Sequence, residues 1–337
     1  MDVGTHALAS FALVRAALPR APRAAWAAVL LAGTIADLDA LSALVGPSAY
    51  LKWHRTDSHS LLVSIAVSAL LTGVYLLLNA KPSSVAISPP ALFAIVLLAQ
   101  LLHLALDACQ SEGIALFWPF SGHRVAADWL ASIDPWIITL LIAAILLPEL
   151  LRLVSDEIGA KDKRPRGRLG AIVGFVLVLL YIGVRATLHS NVVAAMESRT
   201  YQGQSPRAVA AFPESASLFT WHGIVETDSA LHELIVNAGP GSAFDPESGV
   251  ALFKPEPSAI LDQARNSDAA KRFIAVALFP KATVEKTSDD GYEVQLRDLR
   301  YAAAGETQHE VVALVKMDAN GKLVDEALAW ARDLRRR

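Results

Sequence analysis

Residues 91–110 read ALFAIVLLAQLLHLALDACQ. A helix of twenty residues, rising about 1.5 Å each, covers the roughly 30 Å of a bilayer's hydrocarbon core. The ionisable residues of this stretch are confined to its C-terminal end, where His103 and Asp107 stand four apart. That spacing puts both side chains on one helix face, a turn from each other. Ionisable groups inside an apolar span are costly and point to function. A buried hydrogen-bonded pair that ties helices together is the structural alternative, and the pair alone does not decide between the two.

Three further segments, 25–45, 60–79 and 169–188, are long and apolar enough to cross a bilayer. Residues 135–151 are slightly short but strongly apolar, and residues 3–18 are apolar, helix-like and short. No Lys or Arg precedes residues 3–18 and another span follows at once, which is unlike a signal peptide. The 337 residues are 53% hydrophobic and 19% charged, which excludes a disordered chain. Residues 1–189 hold 14 Lys/Arg and 12 Asp/Glu, whereas the shorter stretch 190–337 holds 16 and 21. The expected organisation is a polytopic α-helical membrane domain of about six helices over 1–189, followed by a smaller α+β soluble domain over 190–337. The net charge of −3 argues against a nucleic-acid partner and leaves the lipid bilayer as the expected one. A single cysteine, Cys109, allows no disulfide framework and no cysteine zinc site.

With six crossings, the turns at Arg15/Arg20/Arg23, at Lys81 and at Lys161–Arg168 fall on one side of the membrane. The positive-inside rule makes that side cytoplasmic, so the termini and the soluble part face outward. In residues 190–337, Val294–Arg297 alternates as a half-buried strand does, and Val311–Val315 reads as another. Asp318–Gly321 is a turn leading into Leu323-Val324, and residues 256–274 read as helix. Trp221, Phe212 and Phe219 read as core.

The acids and histidines of the membrane half are gathered at one end. His6 lies 15 residues before the first turn and Asp37 lies 16 after it, so they reach a similar height. His54, Arg55, Asp57 and His59 precede the third span, His103 and Asp107 end the fourth, and Asp134 opens the fifth. All fall at the outer end, with Glu149 the exception. Asp37-Leu38-Asp39 would point nearly opposite ways on a regular helix. Both face one site only if the helix distorts, which Gly33 and Thr34 make plausible. Otherwise one is a ligand and the other supports it, or the pair is a solvated helix end.

His54 to Ser60 offers two imidazoles for a metal and, in Arg55, a planar fork suited to an anionic oxygen. It also offers Ser58 or Ser60 as a helix cap. His123 and Arg124 lie in the outer loop 111–134 with Glu112 and Asp128, and read first as a solvated loop. No metal spacing links His189, His222, His232 and His309.

A His/Asp set without cysteine suits a divalent ion, Zn²⁺ or Mn²⁺ first. Such an ion makes water nucleophilic near neutral pH, and a neighbouring carboxylate or histidine handles the proton. At a membrane surface this chemistry fits hydrolysis of an ester or phosphoester, including one in a lipid.

The chain also resembles the predicted membrane-bound metal-dependent hydrolases, a family that includes LexA-regulated inner-membrane proteins. The likeness rests on Thr5-His6, Ala36-Asp37-Leu38-Asp39, His54–Ser60, His103 to Asp107 and Asp134-Pro135, and more loosely on Trp221 and Asp298–Tyr301. It implies a multi-pass protein of the bacterial inner membrane. It also implies a metal site using His6, Asp37, Asp39, His59, His103 and Asp107, with Asp39, His54, Arg55 and Asp134 at the chemistry. Thr56-Asp57 departs from the family pattern, which has a glycine and then an uncharged residue there. The rival functions are metal binding or transport without hydrolysis, and a structural stress-response protein. A conduit needs polar residues continuing to the inner side, and the inner halves of the helices show few.

Overall fold

The computed structural model describes residues 1–79, 87–157, 167–242, 244–303 and 310–334. The Lys81 turn, residues 161–166 of the basic loop, and His309 lie outside them. Four helices are long and apolar enough to cross a membrane: α4 (Leu61–Leu78), α5 (Pro89–Ala108), α6 (Pro135–Glu157, apolar through Leu153) and α7 (Arg168–Glu197). A fifth crossing is made by α2 (Arg23–Ala32) together with a 3₁₀ helix, Ile35–Leu44, if the pair counts as one span bent by 49°. Helix α1 (Val3–Ala17) has 15 residues, a rise of about 22 Å, and falls short of a crossing. Among the described residues the crossings therefore number four to five, against an expectation of about six helices.

Local chemistry explains the helix ends. Asp2 accepts the Thr5 N–H at 3.0 Å to open α1. Ser60 accepts the Val63 N–H to open α4, and Asp134 accepts those of Trp136 and Ile137 to open α6. Helix α4 is inverted relative to a soluble helix. Its buried residues are Ser64, Ser68 and Thr72, while Leu62, Ile65, Leu70 and Leu77 are exposed. Glu149, out of place in the sequence reading, pairs with Arg15 of α1.

The described residues form two compact units: Met1–Asp39 with Arg55–Ala186, and Ala40–His54 with Thr187–Arg337. In the first, Leu13, Val14, Val29, Leu92 and Val96 pack α1, α2 and α5 together. Ala9, Ala12, Leu106, Ile137 and Val178 pack α1, α5, α6 and α7.

The second unit carries two four-stranded antiparallel sheets, each a meander. The first runs β1 (Ala208–Pro213), β2 (Thr220–Glu226), β3 (Ala230–Asn237) and β4 (Val250–Phe253). The second runs β5 (Pro280–Lys286), β6 (Tyr292–Asp298), β7 (Val311–Met317) and β8 (Leu323–Trp330). The alternation at Val294–Arg297 is realised, with Val294 and Leu296 buried in the core. That core is closed by Leu261 of α8 (Ala259–Arg265) and Phe273 of α9 (Asp268–Ile274). The single helix expected over 256–274 is thus two, because Ser267 accepts the Ala270 N–H and starts a second helix. Trp221 and Phe212 are core residues, but Phe219 is 39% exposed. Helix α3 (Pro47–Trp53) brings Tyr50 against Val311 and Trp330 of the same unit.

Asp298, buried at the end of β6, accepts the N–H groups of Leu278, Phe279 and Arg300 at 3.0–3.2 Å and faces the Arg300 guanidinium at 3.2 Å. Asp298→Ala leaves these donors buried without their acceptor. It should cost about 2–4 kcal/mol of stability, by the penalty for stranding buried polar groups. Chemical denaturation of the two proteins checks this, and a difference below about 0.5 kcal/mol, the scale of a neutral surface change, would contradict it.

Candidate metal centre

The chain breaks after α2, the distortion that a shared site for Asp37 and Asp39 would need. Gly33 ends α2, and the chain continues as a 3₁₀ helix through both acids. At three residues per turn, positions i and i+2 are about 120° apart instead of about 160°. Asp37 joins His6, His103 and Asp107, and one ligand atom from each lies within 4.8 Å of the others. Asp39 accepts the Arg55 N–H at 2.8 Å, the Ser58 hydroxyl at 2.5 Å and the His59 Nδ1–H at 3.0 Å.

These partners fix the imidazoles. His103 Nδ1 donates to the Gly33 carbonyl at 2.9 Å, which turns its Nε2 toward the cluster. His59 Nδ1 donates to Asp39, which turns its Nε2 the same way. The two Nε2 atoms face each other at 3.1 Å, and each lies 3.1–3.3 Å from Asp107 Oδ2. His6 stacks on His103 with ring centroids 3.8 Å apart, and its Nε2 is 3.2 Å from Asp107 Oδ1. Asp37 Oδ2, buried, has no hydrogen-bond partner among the described residues. His6, His59, His103 and Asp107 are all almost fully buried. So dense a set of imidazole nitrogens and carboxylate oxygens, with histidines oriented by a carboxylate and a carbonyl, is the arrangement that a bound cation stabilises. The cluster can hold a metal ion.

Cations also ring it. Arg55 is buried with φ at 58°, an unusual backbone for arginine. Its Nη2 is 2.7 Å from Gln110 Oε1 and 3.5 Å from Asp107, and its Nε is 3.0 Å from Glu112. The Met1 amino group donates to Asp107 and to Gln110. His54 and Asp134 have other partners. His54 stacks on Tyr50 at 4.4 Å, and Asp134 caps α6 and accepts the Tyr181 hydroxyl at 2.8 Å. His123 is exposed, and Arg124 reaches the Glu112 carbonyl. His232 is buried beside Thr227, and burial pushes its pKa down.

Gly33 and Gln110 are parts of the site that the sequence did not single out as such. A Cβ at Gly33 would stand 1.7 Å from Ser10 Oγ, so only glycine lets α1 approach while its carbonyl meets His103. Gln110 is three residues past Asp107, a helix-face spacing that could have flagged it.

Residues 1–192 match the model of the YdjM inner membrane protein family. The chain belongs to the YdjM inner membrane protein family. With its membrane-length helices, it is a multi-pass inner-membrane protein. The YdjM match ends just past Ala186, the last residue of the first compact unit, and so takes in every residue of the cluster. Residues 259–337 match a second model, the YfhP C-terminal alpha/beta plait domain. That match begins at α8 and spans the whole second sheet. No curated protein and no solved structure matches the chain.

Proposed function

We propose that this YdjM-family protein is a membrane-embedded, metal-dependent hydrolase acting on an ester or phosphoester of a lipid-like substrate. What carries the reading is the set His6, Asp37, His103 and Asp107, whose donor atoms converge within 4.8 Å in a buried place. These four would hold the ion, and His59 Nε2 adds a further donor facing them. A bound Zn²⁺ or Mn²⁺ supplies Lewis acidity that makes a water nucleophilic near neutral pH. Asp37 Oδ2, without a hydrogen-bond partner among the described residues, would take the proton from that water. Arg55 brings a planar cation to the edge of the cluster, where it suits the oxygens of a phosphoester. Neither His54 nor Asp134 is needed for these roles.

The test is the metal content of the detergent-purified protein beside a His103→Ala/Asp107→Ala variant. Stoichiometric metal, lost in the variant while the protein still inserts, is the expected result. Equal metal in both would overturn the site. Metal in the wild type without turnover on phospholipid esters or phosphoesters would favour binding without hydrolysis.

In this reading residues 190–337 face outward. A reporter that works only in the periplasm, fused after Arg337, should be active. An inactive fusion at normal expression would reverse the orientation.

A further inference from the structure

Helix α4 carries no charged residue and α5 only Asp107, but both bury uncharged polar ones. Ser60, Ser64, Ser68 and Thr72 are buried and stand four residues apart, so they form one row along α4. The row starts beside His59 and runs twelve residues, about 18 Å of a hydrocarbon core roughly 30 Å thick. Hydroxyl rows alone are common where helices pack closely in membranes. The residue that packing does not account for is Gln100 on α5. It is 1% exposed, and neither its amide oxygen nor its amide nitrogen has a hydrogen-bond partner among the described residues.

Gln100 lies three residues from His103 on the same face of α5, one turn further from the cluster. Helices α4 and α5 pack together and run oppositely, since His59 at the head of α4 meets His103 near the end of α5. Ser64, one turn beyond Ser60, therefore sits at the level of Gln100. The Ser64 and Thr72 hydroxyls also lack partners among the described residues, while Ser68 turns back to the Ser64 carbonyl at 2.7 Å. A carboxamide brings two donors and an acceptor, and hydrocarbon satisfies none of them.

We propose that this row is a hydrated track. Water molecules lie between α4 and α5 from the His/Asp cluster to the level of Thr72, hydrogen-bonded by Gln100, Ser64 and Thr72. The proposal deepens the hydrolase reading, because such a track holds water against the cluster and lets protons move along α4.

The test uses the full chain in phosphatidylcholine nanodiscs, with the one native cysteine removed as Cys109→Ala. Ser64→Cys, Ser68→Cys and Thr72→Cys are exposed to Ag⁺, a small cation excluded from lipid, and unreacted thiol is then counted in denaturant with a maleimide. Each exchange is small, and Gln100→Cys on the facing helix repeats the test independently. Reaction at these positions should be at least about 10-fold faster than at the lipid-facing controls Ile65→Cys and Leu70→Cys, because ions do not enter hydrocarbon. Rates equal to the controls at both the α4 positions and Gln100 would overturn the track. The readout is thiol access, so it stands apart from the metal measurement, and either can fail alone.

Discussion

Gly33→Ala is expected to strip the proposed site of metal and to destabilise the membrane unit. The added methyl would stand 1.7 Å from Ser10 Oγ and 2.8 Å from Ser10 Cβ, so α1 must retreat. Overpacking of this kind costs about 1–3 kcal/mol in a well-packed interior. The retreat also carries His6 away from Asp107. Any shift of the Gly33 carbonyl frees His103 Nδ1 and with it the orientation of Nε2. Metal content and thermal unfolding in detergent read the two effects. Adding Ser10→Gly should restore much of both, because it removes the atoms that clash. A Gly33→Ala protein that keeps full metal and an unchanged melting curve would sink the account.

Asp39→Asn tests the support of the site rather than its donors. The substitution keeps size and shape but loses the charge that fixes His59 as an Nδ1–H donor. It also weakens the acceptor for the Arg55 N–H and the Ser58 hydroxyl. Loss of such a supporting carboxylate lowers metal affinity by roughly 10- to 100-fold. A competition titration with a chromophoric chelator would show it, with size-exclusion chromatography confirming an intact fold. Unchanged affinity would remove Asp39 from the site.

Much of this was legible because charge is rare in lipid. His103 and Asp107 stand out of an apolar run, and the Asp37/Asp39 spacing allowed both acids to face one site only through a distorted helix, which Gly33 and the 3₁₀ turn provide. The crossing count was less legible: α1 is apolar enough but too short, and apolarity alone does not measure length against a bilayer. Gly33 was visible as a helix breaker, but its second role depends on Ser10, 23 residues away in the sequence, and on a helix crossing that no local pattern encodes. Gln100 and the α4 hydroxyls escaped because they carry no charge, and only burial makes them costly. In the second half, β1–β4 went unread, since Ala208–Pro213 is short and has no clear alternation. The break between α8 and α9 turns on one serine cap.

The pairing of α1 bears on how the chain is made. Its two buried basic side chains find their acids far downstream: His6 at Asp107 and Arg15 at Glu149, separations of 101 and 134 residues. At ribosomal speeds Glu149 leaves the tunnel on the order of ten seconds after Arg15. For that interval α1 is a short helix with unmatched basic groups, a poor substrate for release into lipid by the translocon. Its seating is therefore expected late in biogenesis, completing the His/Asp cluster only once α5 and α6 are in place. In a nascent chain arrested before residue 149, a cysteine placed in α1 should therefore react with a water-soluble maleimide, while the same cysteine in the finished protein is protected.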